Sequence, residues 1–318
     1  MDQIAHRFVE VNGLKLHVAE IGSESSPAVV FLHGFPEIWY TWRHQMIAVA
    51  NAGFRAIAPD YRGYGLSDCP PEPEKASFAD FINDTVAILD FLAISKVFVI
   101  GKDFGASVAY PVALLHPERV AGIITLGFPF APPGAFKNQF GLPKGFYPQR
   151  WQEPGRAEAD FGRFDIKTVV RNIYILFSQS ELQIAKENEE IMDLVKPGTP
   201  LPSWFTEEDL ATYASLYEKS GFRTPLQVPY RCLHMVGSEV ENPKIEAPAM
   251  LIMGEEDYVL KVPGMSEYIR SGEMKKYIPN IETVFVPHGT HFVPEQFPDK
   301  VNKLILDFLN HNKHLVVA

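Results

Sequence analysis

Cysteine is nearly absent: the chain has two, Cys69 and Cys232, in 318 residues. One disulfide would be a thin framework for such a length, so a disulfide scaffold is set aside and free thiols in a reducing compartment are expected. Excess positive charge is also missing. Lys and Arg number 29 against 39 Asp and Glu, a formal net charge of −10. That balance argues against nucleic acid and against anionic membrane surfaces as partners. No run of about 18 apolar residues exists, so no membrane span is expected. Residues 1–7 lack the apolar core of a secretory signal, and residues 315–318 are not a peroxisomal address, which leaves the cytoplasm as the expected location. Internal repeats and low-complexity tracts are absent too. The remainder is 46% hydrophobic and 21% charged, ordinary for a globular protein, and long enough for one large domain or a domain with an insertion.

What is present alternates between two periods. Phe8–Val11 and Leu14–Glu20 are alternating runs joined by Asn12-Gly13, a strong hairpin signal. The continuous apolar run at 28–32 reads as a strand buried on both faces, and 54–58, the apolar run at 97–100 and 120–126 read as further strands. Helical patterns lie between them, near Trp42–Ala50, over Phe78–Leu92 and up to about His116. This alternation predicts an α/β fold, with a mostly parallel central sheet and helices on both faces. The rhythm breaks near Gly127. Residues 131–239 read as an inserted helical cap, with a capping box at Thr206, and residues 1–130 and 240–318 read as the core. Strands resume at 249–254 and 282–286, and a helix over 301–310 closes the core.

One further absence decides the chemistry. Gly101-Lys102-Asp103-Phe104-Gly105 follows the strand at 97–100 and precedes a helix, the layout of a nucleophile elbow. The tip residue of such an elbow is usually serine, and here it is Asp103. A carboxylate with an ordinary pKa of about 4 is ionised at neutral pH and attacks without a base. An aspartate in a surface turn would give the same pentapeptide, so the partners matter. Asp257 follows the strand at 249–254, with Glu255 and Glu256 as competitors. His291 follows the strand at 282–286, with His288 three residues before it. The order nucleophile, acid, histidine is that of the α/β-hydrolase fold, whose active residues stand at the carboxyl ends of the strands. In that fold the loop His33-Gly34-Phe35-Pro36 supplies one backbone N–H of an oxyanion hole, assigned to Phe35, and the residue after the nucleophile, Phe104, supplies the other.

Two motifs carry a closer resemblance. His33-Gly34-Phe35-Pro36-Glu37 with Trp39, Tyr40, Trp42, Arg43, His44 and Gln45 is one, and Pro59-Asp60-Tyr61-Arg62-Gly63-Tyr64-Gly65 is the other. Together with the aspartate elbow they resemble the soluble epoxide hydrolases, most of all the plant ones, from about His6 to the final helix. The resemblance implies two cap tyrosines over the nucleophile. Tyr147 matches the first by its Tyr-x-x-Arg context, and Tyr230 matches the second by its Tyr-Arg context. Without the resemblance, Tyr174, Tyr213 and Tyr217 would compete for those roles. His33, Pro36 and Trp39 are expected in the substrate pocket. Lys102, Phe104 and Pro229 depart from the usual pattern, which has His, Trp, and Trp or Tyr there.

The implied reaction is hydrolysis of a small lipid, terpenoid or aromatic epoxide to a vicinal diol. Asp103 attacks a ring carbon, Tyr147 and Tyr230 hold the oxygen, and His291 with Asp257 activates water against the ester. No metal or organic cofactor is implied, and a monomer or weak homodimer is expected. Two alternatives share the scaffold. A haloalkane or haloacetate dehalogenase uses the same nucleophile, but Phe104 cannot supply the indole N–H that haloalkane dehalogenases use to hold halide. A non-catalytic ligand-binding role is the other, since fold does not fix function.

Overall fold

The computed structural model describes residues 3–132, 141–232 and 240–316. Eight strands form one sheet: β1 (Ala5–Val11), β2 (Leu14–Ile21), β3 (Ala28–Leu32), β4 (Arg55–Pro59), β5 (Val97–Lys102), β6 (Val120–Leu126), β7 (Ala249–Gly254) and β8 (Ile281–Val286). Their order is β1-β2-β4-β3-β5-β6-β7-β8. The β1–β2 and β2–β4 pairs are antiparallel, and every other pair is parallel. The hairpin turns at Asn12 and Gly13, both at positive φ, the geometry that Asn-Gly favours. Strands β3 to β7 are buried at every position, because helices cover both faces of the sheet there.

Helices Arg43–Asn51, Phe78–Phe91, Ala106–Leu115 and Pro298–Asn312 flank this sheet. A short helix, Met265–Ser271, joins β7 to β8 and was not evident from the sequence pattern. Its seven residues are bounded by Gly264 and Gly272, both in the left-handed region, and are too few to show a helical period. Between β6 and β7 the chain forms helices Arg156–Phe161, Ile166–Phe177 and Glu207–Ser220. Thr206 caps the last of these: its hydroxyl accepts the Asp209 N–H at 3.1 Å, and its own N–H donates to Asp209 Oδ2 at 3.1 Å. The expected cap junctions, 130/131 and 239/240, adjoin stretches outside the described residues.

This intervening helical stretch meets the loops that follow the strands. Tyr64 Oη donates to Val228 O at 2.8 Å, and Tyr40 Oη donates to Asp209 Oδ1 at 3.1 Å. No described helix is long and apolar enough to cross a membrane.

Candidate active site

Strand β5 ends at the turn Asp103–Gly105, where Asp103 takes φ +53 and is buried. A non-glycine residue at positive φ carries strain that its surroundings must hold in place. Those surroundings are close. Phe35 N–H donates to Asp103 Oδ1 at 3.1 Å, and the Phe104 backbone amide also bonds the carboxylate. A Cβ on Gly34 would lie 2.5 Å from Asp103 Cβ, and one on Gly105 would overlap the Leu32 carbonyl. Glycine at both positions lets the 33–36 loop and the elbow touch. Gly34→Ala is therefore expected to displace the Asp103 side chain, cost about 1–3 kcal/mol of stability and lower turnover sharply. Chemical denaturation and an activity assay check this.

His291 and Asp257 come from the loops after β8 and β7. Asp257 caps the turn Tyr258–Lys261 by accepting the Val259 N–H at 2.9 Å. Its two oxygens lie 3.1 and 3.0 Å from His291 Nδ1. On the other side of the ring, Nε2 faces Asp103 Oδ2 at 3.3 Å, outside hydrogen-bond geometry. All three side chains are buried. Glu256 instead pairs with His288 at 3.1 Å on the exposed surface.

The electrostatics follow from this packing. Burial works against a charged His291, but the two flanking carboxylates outweigh it and carry the imidazole up to about 9. Burial pushes the Asp103 carboxyl up, while His291, Lys102 and the Phe104 amide pull it further down, so it is held below the usual range. A histidine raised from 6.5 to about 9 on folding adds stability that is full below pH 6.5 and is lost as pH rises through 9. The expected loss is about 3 kcal/mol. Thermal unfolding across pH 6 to 10 should show the wild type losing stability over that window relative to His291→Gln.

Two tyrosines complete the site. Tyr230 is buried, and its ring stands edge-on to the rings of Phe104 at 5.4 Å and Phe35 at 5.5 Å. Its hydroxyl has no hydrogen-bond partner among the described residues. Tyr147 lies 5.8 Å from Tyr230 ring to ring, and its hydroxyl meets that of Tyr258 at 2.9 Å. Burial and the Asp103 carboxylate both keep Tyr147 protonated; for Tyr230, burial, Tyr147 and Asp103 do so. The other three tyrosines lie elsewhere. Tyr174 stacks on Phe205 and Phe292, Tyr213 donates to Glu295 Oε1 at 3.2 Å, and Tyr217 stacks on Phe222.

The expected pocket residues separate. Pro36 is buried in the 33–36 loop after a cis peptide. His33 lies beneath that loop, its Nδ1 2.9 Å from Gly34 O and its Nε2 taking the Tyr61 N–H at 3.4 Å, and burial keeps it neutral. Trp39 is not brought to Asp103. Its N–H donates to Asp60 Oδ1 at 2.9 Å, and its ring packs against His6, His17 and Tyr40.

Behind the elbow runs a buried polar chain that the sequence pattern did not disclose. Lys102 Nζ is 2.7 Å from Glu37 Oε1 and lies over the Phe292 ring at 4.7 Å. Glu37 accepts the Gly34 N–H at 3.2 Å and the Thr41 hydroxyl at 3.2 Å. Thr41 also reaches Glu295 Oε1 at 3.1 Å, and Arg43 bridges Glu295 at 2.5 Å and Asp209 at 3.0 Å. Charged residues in a sequence read as surface, and only the fold shows them paired inside. The nearest signal was position: Glu37 belongs to the His33–Glu37 motif, and Glu295 lies one helical turn past His291.

A family model described as the alpha/beta hydrolase fold matches residues 27–306. Epoxide hydrolase 2 of Siraitia grosvenorii is 39% identical over 97% of this chain and 99% of its own. Epoxide hydrolase 1 of the same plant is 38% identical over 97% and 99%. Among solved structures, an epoxide hydrolase from Vigna radiata superposes with a TM-score of 0.89 at 36% identity, covering 98% of this chain and 99% of that one. Potato (Solanum tuberosum) epoxide hydrolase I gives a TM-score of 0.86 at 33% identity over 97% and 99%.

Proposed function

The chain belongs to the α/β-hydrolase fold family and, within it, to the epoxide hydrolases, and from that premise we propose that it opens epoxides to vicinal diols through a covalent ester on Asp103. The observation that carries the mechanism is the buried Tyr230 hydroxyl, without a hydrogen-bond partner among the described residues, beside Tyr147 and opposite a carboxylate that accepts from the amides and faces His291 at 3.3 Å. Ring opening needs a nucleophile on carbon and an acid on oxygen at once, and these groups supply both.

The protons balance over a cycle. Asp103 Oδ forms a bond to a ring carbon as the carbon–oxygen bond breaks, and a phenol of the Tyr147–Tyr230 pair protonates the alkoxide. Esterification removes the Asp103 charge, so His291 loses part of what held its proton, and that proton restores the phenol. Neutral His291 then takes a proton from water, whose oxygen attacks the ester carbonyl carbon. The Phe35 and Phe104 amides hold the resulting oxyanion. Collapse breaks the acyl carbon–oxygen bond. The new carboxylic acid of Asp103 protonates the departing alkoxide, and the pair returns to carboxylate and imidazolium.

Residues 131–239 act in this scheme as a cap that brings the phenols down on the core, and residues 1–130 and 240–318 as that core. The aromatic surround, Phe35, Phe104, Trp151 and Phe177 among it, suits an apolar epoxide of the lipid, terpenoid or aromatic kind. We assign the protein to the cytoplasm as a monomer or weak homodimer. A single turnover in 18O-labelled water tests the mechanism: the first diol should carry an unlabelled oxygen from Asp103, and a labelled first diol would overturn it.

A further inference from the structure

A third phenol stands where the reaction has no stated use for one. Tyr258 is buried, and its hydroxyl meets that of Tyr147 at 2.9 Å. It has no other hydrogen-bond partner among the described residues. Its ring packs 5.0 Å from that of His291 and 5.6 Å from that of Phe177. The turn that carries it, Tyr258–Lys261, is the one capped by Asp257, so one turn presents the acid to His291 and the phenol to Tyr147.

Counting donors fixes the direction of this bond. A tyrosine hydroxyl has one proton to give. If Tyr147 gives its proton to the epoxide oxygen, the proton between the two phenols must come from Tyr258. Tyr147 then gives one hydrogen bond and receives one, and such a chain polarises each member in the same sense. When the alkoxide takes the Tyr147 proton, the tyrosinate left behind already accepts a hydrogen bond from Tyr258. That bond is stronger to the anion than to the neutral phenol, so it favours the transition state over the bound epoxide.

We propose that Tyr258 is a positioning residue for ring opening: it holds the Tyr147 hydroxyl and donates to the tyrosinate that forms there. The inference rests on the epoxide-opening reading above. It predicts an effect on one chemical step only. Once His291 has returned its proton to the phenol, ester hydrolysis uses His291, water and the two amides and makes no further use of Tyr147.

The test is Tyr258→Phe, which keeps the ring against His291 and removes the hydroxyl. Styrene oxide is mixed rapidly with excess enzyme, the reaction is quenched with acid, and intact mass gives the Asp103 ester over time. The rate of ester formation should fall about 10- to 100-fold, the worth of a hydrogen bond to a charged oxygen, with ester hydrolysis within about threefold of wild type. Adding Tyr258→Phe to Tyr147→Phe should cost little more than Tyr147→Phe alone. Placing 3-fluorotyrosine at position 258, a more acidic phenol of nearly the same shape, should preserve or raise the rate of ester formation. Unchanged ester formation in Tyr258→Phe overturns the proposal, and so does a fall confined to hydrolysis or equal in both steps. An ester on wild type with such a result overturns this inference alone. No ester on wild type overturns the underlying mechanism with it.

Discussion

Replacing Asp103 with alanine should lower diol formation by a factor on the order of 10⁴ or more, with no ester detectable by mass. The size of the effect comes from the lack of a substitute. Asp257 is the nearest other acid on the histidine, and both its oxygens are taken up by His291 and Val259 N–H. Glu37 is held by Gly34, Thr41 and Lys102 behind the elbow. Neither can reach a carbon positioned over the tip of β5. Asp103→Asn is the sharper version, since it keeps the shape and can still accept from the Phe35 amide. A neutral amide is a poor nucleophile, so the same loss is expected. Asn at this position turning over within about tenfold of wild type would sink the nucleophile assignment. Thermal unfolding of both variants separates lost chemistry from lost fold. Full biological activity with an inert Asp103→Ala would instead favour a ligand-binding role.

His291→Gln should divide the reaction. Ring opening continues, and one equivalent of ester accumulates per enzyme. Steady-state diol release then falls by about 10²–10⁴, the usual span for losing a general base. The asymmetry follows from the charge on the ring. In the resting site His291 keeps its proton up to about pH 9, held by carboxylates on both sides. An imidazolium cannot take a proton from water, so the base exists only after the Asp103 carboxylate has become an ester. Glutamine can still face Asp103 but can never become that base. Intact mass spectrometry should find the protein heavier by one epoxide, stable over the time in which wild type turns over many times. Equal loss of ester formation and ester hydrolysis would contradict the division of labour.

The fold was legible where one physical rule dominates. Strands β3, β6 and β7 coincide with the apolar runs at 28–32, 120–126 and 249–254, because both faces of a central strand are buried and its sequence cannot alternate. Helix ends moved by a residue or more: Phe78–Phe91 stops one short of the sequence pattern, and Pro298–Asn312 begins three residues earlier than Val301. In the site, Asp103, His291 and Asp257 stood out because each follows a strand. Tyr258 did not, although it adjoins Asp257, since an aromatic beside a strand end reads as packing. Trp39 illustrates the reverse: a motif places it beside the 33–36 loop, but the Asp60 carboxylate turns its backbone and the β1–β2 face takes its ring. Such outcomes depend on which neighbours arrive from distant segments.

The charged chain behind the elbow sets a rule for transplanting parts. From Lys102 through Glu37, Thr41, Glu295 and Arg43 to Asp209, each member bonds the next, and the run begins beside Asp103 and ends on the helix Glu207–Ser220. Grafting a foreign helical stretch between β6 and β7 would leave Arg43 and Tyr40 without Asp209, and Glu295 without Tyr213. A chimera that alters substrate range must therefore import matching counterparts for these two residues, or rewrite the core loops at the same time. The helical stretch between β6 and β7 and the placement of Asp103 are, in this protein, inherited together.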